Sequence, residues 1–189
     1  MKLYTKEGWI DWKHLFKYIM NKNRSMVFMT GPRGIGKSFG VIKYLIENKI
    51  PFIFMRRTQK ECDLQRNPQT SDLNKILNTL NIDARFESIA KGSVGCIYDA
   101  DDRLICECVA LSTFASIRGV NFDNFEYAIY DEFIPEPHVR AIKMEGFALQ
   151  QFYESVNRNR ELEGRKPLTM ICLSNSLNIA NDIFMQFDL

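Results

Sequence analysis

The chain has 189 residues, of which 46% are hydrophobic and 25% are charged, which is typical of one soluble globular domain with a substantial core. Its formal net charge of +2 is too small to indicate a dedicated nucleic-acid-binding domain, so any DNA contact must come from local patches. No run approaches the roughly 18 consecutive apolar residues of a membrane helix, and the N-terminus lacks the apolar core of a signal peptide. We therefore expect a cytoplasmic protein that does not associate with membranes.

The cysteines are odd in number and contain no C-x-x-C pair with metal-ligand spacing. This pattern favours reduced thiols over disulfides or a zinc site. The five positions are Cys62, Cys96, Cys106, Cys108 and Cys172.

The first elements follow the order strand, loop, helix. Residues 12–23 have apolar positions at helical spacing, and the short apolar run 26–30 predicts a buried strand. A glycine-rich turn follows, after which residues 37–48 predict a second helix.

The middle of the chain predicts a strand, a helix and a hairpin. Residues 52–57 predict a strand that ends in two arginines, and residues 71–81 predict a helix with Ser71 as its N-cap. Residues 93–111 read as two β runs joined by the turn "DADD". Residues 112–119 predict a loop or short helix.

The last third contains an acidic strand end, a long helix and a final strand. Residues 127–133 predict an apolar strand ending in two acids, and the Pro135 and Pro137 pair forbids a regular helix directly after it. A helix is predicted from about Gly146 to Glu163, followed by a strand over 168–175.

The alternation of strands and helices predicts an α/β fold with a mainly parallel central sheet flanked by helices, plus the β-hairpin. Residues 1–189 show no repeat or shift in composition, so we expect a single domain. The apolar ending "NDIFMQFDL" suggests that it is the N-terminal domain of a longer chain.

The segment "GPRGIGKS" matches the phosphate-binding pattern G-x-x-x-x-G-K-[ST] without a mismatch, between a predicted strand and a predicted helix. Its glycines let backbone amides approach phosphate oxygens, Lys37 would reach the β and γ phosphates, and the Ser38 hydroxyl would bind Mg²⁺. We predict ATP as the ligand. The predicted binding residues are Gly31, Pro32, Arg33, Gly34, Ile35, Gly36, Lys37, Ser38 and Phe39.

A P-loop needs a second carboxylate for its metal, and Asp131 stands at the polar end of the strand "YAIYD". The following Glu132 can polarise the attacking water in nucleotidases that carry an additional strand between the two motifs, the RecA/terminase-like class. Small GTPases lack that arrangement, and their N-K-x-D motif does not occur in this sequence.

Ser174 and Asn175 end the last predicted strand, which would lie beside the strand of Asp131. A polar side chain at this position can sense the γ-phosphate or orient the water. Ser and Asn are also common in ordinary turns after strands. We predict Asn175 as a catalytic residue.

Arginine is the side chain that stabilises charge on a transferring phosphoryl group. The candidates are Arg118 in "ASIRG" and Arg158, Arg160 and Arg165 in "VNRNRELEGR". Because Arg158 and Arg160 are two residues apart on a helix, they cannot share one face, and at most one of them is expected to point at a given nucleotide.

Arg56 and Arg57 end the second predicted strand at the nucleotide edge of such a sheet. They are predicted to contact the base or phosphates, or to pair with Asp131 or Glu132 when nucleotide is absent. For any single arginine, a role as a surface cation is the alternative.

This set of motifs resembles the packaging-motor ATPases, or encapsidation proteins, of small short-tailed phages (Picovirinae-type podoviruses). The resemblance covers residues 26–187 and rests on "GPRGIGKS", "FMRR", the hairpin before "ALSTFASIRG", "YDEF", "VNRNRE" and "CLSN". More loosely, "SIRG" followed by "YDE" is similar to the ATPase domains of large terminase subunits.

The resemblance implies a ring, expected to be a pentamer, that hydrolyses ATP to move double-stranded DNA through a portal into a procapsid. It assigns Lys37, Asp131 and Glu132 to the Walker motifs, Arg158 to an arginine finger acting on the neighbouring subunit, and Arg118 to a second basic residue in trans. A packaging RNA is a further candidate partner. The implied location is the host cytoplasm, transiently the portal vertex, and not the mature virion.

Two other functions share the phosphate cradle. A P-loop nucleoside or nucleotide kinase would need an arginine-rich lid, which "NRNRELEGR" could mimic, but Glu132 and the polar "SN" strand end favour hydrolysis. A helicase-like ring ATPase would use the same residues as a packaging motor. A nucleotide-gated module without hydrolysis is disfavoured by the intact Lys37, Asp131 and Glu132.

Overall fold

One seven-stranded sheet forms the centre of the computed structural model, which describes residues 3–22, 24–136, 138–139, 141–175 and 181–189. The strands are β1 (Met26–Gly31), β2 (Phe52–Arg56), β3 (Ala84–Ile89), β4 (Val94–Asp99), β5 (Leu104–Ala110), β6 (Tyr127–Asp131) and β7 (Thr169–Asn175).

Helices cover both faces of this sheet. Those of the described residues are α1 (Trp12–Asn21), α2 (Lys37–Glu47), α3 (Gln59–Gln65), α4 (Asp72–Thr79), α5 (Glu145–Asn157) and α6 (Asp182–Phe187), with 3₁₀ turns at Ala90–Gly92 and Leu111–Ile117. None of these helices is long and apolar enough to cross a membrane.

The strand order is β1-β7-β6-β2-β5-β4-β3. Neighbouring strands in the run β1-β7-β6-β2-β5 pair in parallel. Strand β4 is antiparallel to β5, and β3 is antiparallel to β4. Strand β7 lies between β1, which precedes the glycine-rich turn, and β6, which ends in Asp131. The additional-strand arrangement predicted from the sequence is therefore confirmed.

Two apolar layers sandwich the sheet. Residues of α1, α2 and α4 pack on one face, among them Phe16, Val41, Leu45 and Leu77. On the other face lie α5, α6 and the turn at Leu111–Ile117. The sheet is thus buried on both sides, as expected for parallel strands.

Several element boundaries differ from the sequence predictions. The hairpin has a third strand, β3, and α3 also was not predicted. Helix α5 ends at Asn157 instead of about Glu163, because Arg158 takes a backbone φ of +39° and leaves the helical conformation. The Ser71 cap is confirmed, since its side chain accepts a hydrogen bond from the Asn74 amide. Pro137 lies outside the described residues.

All five cysteines are buried and none forms a disulfide, which agrees with the predicted reduced thiols. Burial raises the pKa of the Cys96 thiol to about 11, so this side chain remains a protonated core residue. The prediction of reduced thiols rested on the number and spacing of the cysteines in the sequence.

Glu107 on β5 is a buried acid that the sequence reading did not identify. It lies opposite Cys96 of β4, is 8% exposed, and its Oε2 has no hydrogen-bond partner among the described residues. Burial raises the pKa of this carboxyl to about 7. The folded protein therefore retains this proton at a pH where the unfolded chain has lost it.

We expect the free energy of unfolding to fall as pH rises from about 4.5 to 7, by up to about 3 kcal/mol from this group. Glu107→Gln should remove that part of the slope in urea unfolding measured across the range. Glu87→Gln, an exposed strand position in the same cross-strand row, is the matched control. Equal slopes in Glu107→Gln and the parent protein would contradict the assignment.

Candidate active site

The turn between β1 and α2 has the backbone shape of a phosphate cradle. Gly34 and Gly36 adopt φ values of +82° and +80°, which residues with a side chain rarely tolerate. Gly36 caps α2, which begins at Lys37. The amides and the dipole at this helix N-terminus favour an anion in front of it.

Lys37 is held at the base of the cradle and is 8% exposed. Its Nζ donates to the carbonyl oxygens of Gly31 and Pro32, at 3.0 and 2.7 Å, and to Asn175 Oδ1 at 3.3 Å. Burial lowers the pKa of this amine, although the negative charge of Asp131 opposes the effect. The contact with Asn175 follows from the register, which places Gly31 beside Asn175 on β7.

Ser38 and Asp131 bring a hydroxyl and a carboxylate together. Ser38 Oγ donates to Asp131 Oδ1 at 2.6 Å. Burial raises the pKa of Asp131, and the charge of Arg56 and the Ser38 hydrogen bond oppose that rise. Both side chains supply oxygen, the donor that Mg²⁺ prefers, so these residues fit the predicted metal site.

Arg56, at the end of β2, bridges Asp131, the predicted metal ligand, and Glu132, the predicted catalytic acid. Its Nη1 donates to Asp131 Oδ2 at 3.0 Å, and its Nη2 pairs with Glu132. Glu132 has a backbone φ of +56° and a half-exposed side chain. The sequence predicted pairing with Asp131 or Glu132, and Arg56 pairs with both.

A cleft of about 1060 Å³ opens in front of these groups, which is large enough for a nucleotide. Phe39 and Trp9 are exposed on its wall. The segment before α1 also supports the cradle, since Ile10 N donates to Ile35 O at 3.2 Å and Trp12 Nε1 to Gly36 O at 3.1 Å. Sequence reasoning included Phe39 but missed Trp9 and the segment before α1, because nothing in the local pattern of that segment links it to residues 31–38.

Arg57 does not share the environment of Arg56. Its guanidinium donates to both carboxylate oxygens of Glu145, at 2.7 and 2.8 Å, and only 2% of the residue is exposed. Successive side chains of a strand point to opposite faces, so Arg57 is directed away from the cradle. The expectation that it contacts nucleotide is corrected to a structural pairing with α5.

The remaining predicted polar residues have distinct positions. Arg33 lies at the mouth of the cleft, paired with Glu136. Ser174 exchanges hydrogen bonds with the backbone of Ile134, so it holds the segment after Glu132. Only Asn175 of the "SN" pair contacts Lys37.

Arg118 and Arg158 are exposed and line one shallow hollow on the surface. Among the described residues, neither belongs to the lining of the cleft. Arg160 is 2% exposed and donates to the backbone oxygens of Phe122 and Asp123. The sequence-based preference for Arg158 over Arg160 therefore agrees with their exposure, although neither lies within a helix.

The fold and the cradle define a P-loop nucleotide-binding protein of the additional-strand class. Residues 13–189 match the family described as podovirus DNA encapsidation protein (Gp16). The chain belongs to this family.

Relatives and solved structures agree with that membership. The DNA packaging proteins of Bacillus phages phi29 and B103 are 31% and 33% identical over 180 residues, or 90% of this chain. The N-terminal domain of the phi29 DNA packaging ATPase superposes with a TM-score of 0.64 at 28% identity, covering 92% of this chain and 84% of that one. The Phi-28 gp11 DNA packaging motor matches in fold, with a TM-score of 0.67 at 21% identity over 98% of this chain and 54% of that one.

The chain spans about half the length of the curated relatives it matches, 48% for the phi29 protein and 50% for the B103 protein. The family match covers residues 13–189 of this chain. The activity and partners of the full-length relatives are not assigned to this chain by these matches.

The Arg56 bridge predicts a large effect of one substitution on stability. Arg56→Gln leaves Asp131 buried without its cation, and we expect unfolding to become easier by about 3 kcal/mol or more. Urea unfolding at pH 7 measures this. Arg158→Gln, the same change at an exposed site, should shift stability by less than about 0.5 kcal/mol, and similar losses in both variants would contradict the bridge.

Proposed function

We propose that this chain is an ATP-hydrolysing motor domain that drives double-stranded DNA into a viral procapsid. The observation that carries the proposal is the Ser38–Asp131 pair beside Lys37, with Glu132 directly following. Membership of the encapsidation family supports the DNA and procapsid parts of the proposal.

Each residue of the cradle has a role in this chemistry. The α2 N-terminus and Lys37 bind the phosphates, and Ser38 and Asp131 hold Mg²⁺. When bound, the metal neutralises charge on the β and γ phosphates. Asn175, hydrogen-bonded to Lys37, orients that lysine and is placed to sense the γ-phosphate.

Glu132 acts as the group that polarises the attacking water. Its carboxylate is paired with Arg56, so activation requires that this pairing loosen. Its left-handed backbone conformation, at φ +56°, is the kind of local strain that proteins retain at functional sites.

Arg158 and Arg118 complete the site of a neighbouring subunit. Both are exposed on one hollow and lie outside their own chain's cleft, as an arginine acting in trans requires. The phi29 viral genome packaging motor assembly superposes with a TM-score of 0.67 at 25% identity over the full length of this chain. We propose a homo-oligomeric ring, a pentamer, working at the portal, with a packaging RNA as a further partner.

The location follows from that role. The protein acts in the host cytoplasm and transiently at the portal vertex of the procapsid, and it is not retained in the mature virion. A motor that leaves after packaging needs only reversible contacts with the portal.

The Glu132→Gln variant tests hydrolysis. We expect kcat for ATP to fall by about 100-fold or more, since a general base contributes at least that much, while ATP affinity stays within about threefold. Phosphate release and equilibrium binding are the two measurements. Glu126→Gln, an exposed acid at the start of the same strand, should leave both unchanged. Normal phosphate release in Glu132→Gln would reject this role for the carboxylate.

A further inference from the structure

Two pairs of consecutive residues end the neighbouring strands β2 and β6. Arg56 and Asp131 meet on the face of the sheet that carries the cradle. Arg57 and Tyr130 belong to the opposite face, where Tyr130 packs among the residues that contact α5. The strands pair in parallel, with Met55 beside Tyr130. Arg57, which faces α5, is therefore one peptide bond from Arg56. Tyr130, which also faces α5, is one peptide bond from Asp131.

Glu145 joins the two residues on the α5 face. It accepts hydrogen bonds from Arg57 Nε and Nη2, at 2.7 and 2.8 Å, and from Tyr130 Oη at 2.8 Å. Only 4% of Glu145 is exposed, and Tyr130 is fully buried. The buried carboxylate of Glu145, held by a bidentate contact with Arg57 and by the Tyr130 hydroxyl, therefore has little geometric freedom.

Glu145 is the first residue of α5, and the helix has no side-chain N-cap. The triad of Arg57, Tyr130 and Glu145 is therefore a main attachment of this end of the helix to the sheet. A second contact, from Gly146 N to Asp182 Oδ2 at 2.9 Å, ties the same turn to α6.

The other end of α5 carries Arg158 directly. Asn157 Oδ1 accepts from Leu168 N at 2.7 Å, and its amide group donates to both oxygens of Glu161 at 3.0 Å. These bonds fix the loop 158–168 to the last turn of the helix. The 13 residues of α5 span about 20 Å, so a small rotation at Glu145 displaces the loop as a unit.

We infer that Glu145 is a positioning residue, which couples the Arg56–Asp131 contact in the nucleotide site to the Arg158 loop through α5. The inference rests on the proposed function, since it assumes that nucleotide enters the cleft. A ligand in the cleft that draws the Asp131 carboxylate away from Arg56 would displace the end of β2 and with it Arg57. A ligand that shifts the end of β6 would displace Tyr130. Both residues converge on one carboxylate that holds the arginine-bearing helix.

A fluorescent label in the loop tests this coupling. Leu162 is 87% exposed and the five native cysteines are buried, so Leu162→Cys can be labelled selectively. We expect a non-hydrolysable ATP analogue with Mg²⁺ to change the label's emission. In Tyr130→Phe, which removes one hydroxyl from the triad, the change should shrink at least twofold, while calorimetry gives the analogue's affinity within about twofold of the parent.

Tyr127→Phe is the matched control, because Tyr127 is a buried tyrosine on the same strand that packs in the other apolar layer, and it should keep the full signal. In Glu145→Gln the change in emission should also shrink at least twofold. If Glu145→Gln does not fold, the result for Tyr130→Phe decides the test. A full signal in Tyr130→Phe, or no signal in the parent although the analogue binds, overturns the coupling. If calorimetry shows no binding to the parent, the proposed function is wrong and the inference fails with it.

Discussion

The buried charge of Asp131 is the constraint around which the described site is arranged. A carboxylate at the end of a buried strand is costly unless hydrogen bonds and an opposite charge compensate it. Ser38 and Arg56 provide that compensation, and they come from α2 and β2. A single charge thus fixes the phosphate-binding helix, the second strand and the acidic strand in one arrangement.

The same arrangement separates the cleft from the surface that bears the exposed arginines. The proposed phosphate and metal ligands are gathered within one chain because the glycine-rich turn, β7 and β6 meet at the carboxyl edge of a parallel sheet, where such folds bind their ligands. The exposed arginines, Arg118 and Arg158, belong to a different surface. Among the described residues, neither of these two arginines lines the cleft, and in the proposed ring a neighbouring subunit supplies the arginine finger.

The sequence predicted what depends on local pattern: the cradle, the acidic strand end, the additional strand and the core layers. It could not predict what depends on tertiary contacts. Helix α5 ends where Arg158 leaves the helical conformation and Leu168 N donates to Asn157 Oδ1, although the residues beyond it are compatible with a helix. Arg56 and Arg57 are chemically identical neighbours on opposite faces of the sheet, and the sequence does not show that Asp131 lies beside one and Glu145 beside the other. Strand β3 lies at the sheet edge with mostly exposed side chains, so it lacks an apolar signal.

The central claim, that each cradle is completed by Arg158 of another subunit, is tested most directly by mixing two inactive variants. Lys37→Ala subunits keep the arginine but lack the cradle lysine, and Arg158→Ala subunits have the opposite defect. The account predicts that each alone is inactive and that the mixture regains part of the ATPase activity, whereas Lys37→Ala mixed with the Lys37→Ala, Arg158→Ala double variant does not. A mixture of the two single variants with no more activity than its components would contradict the shared site.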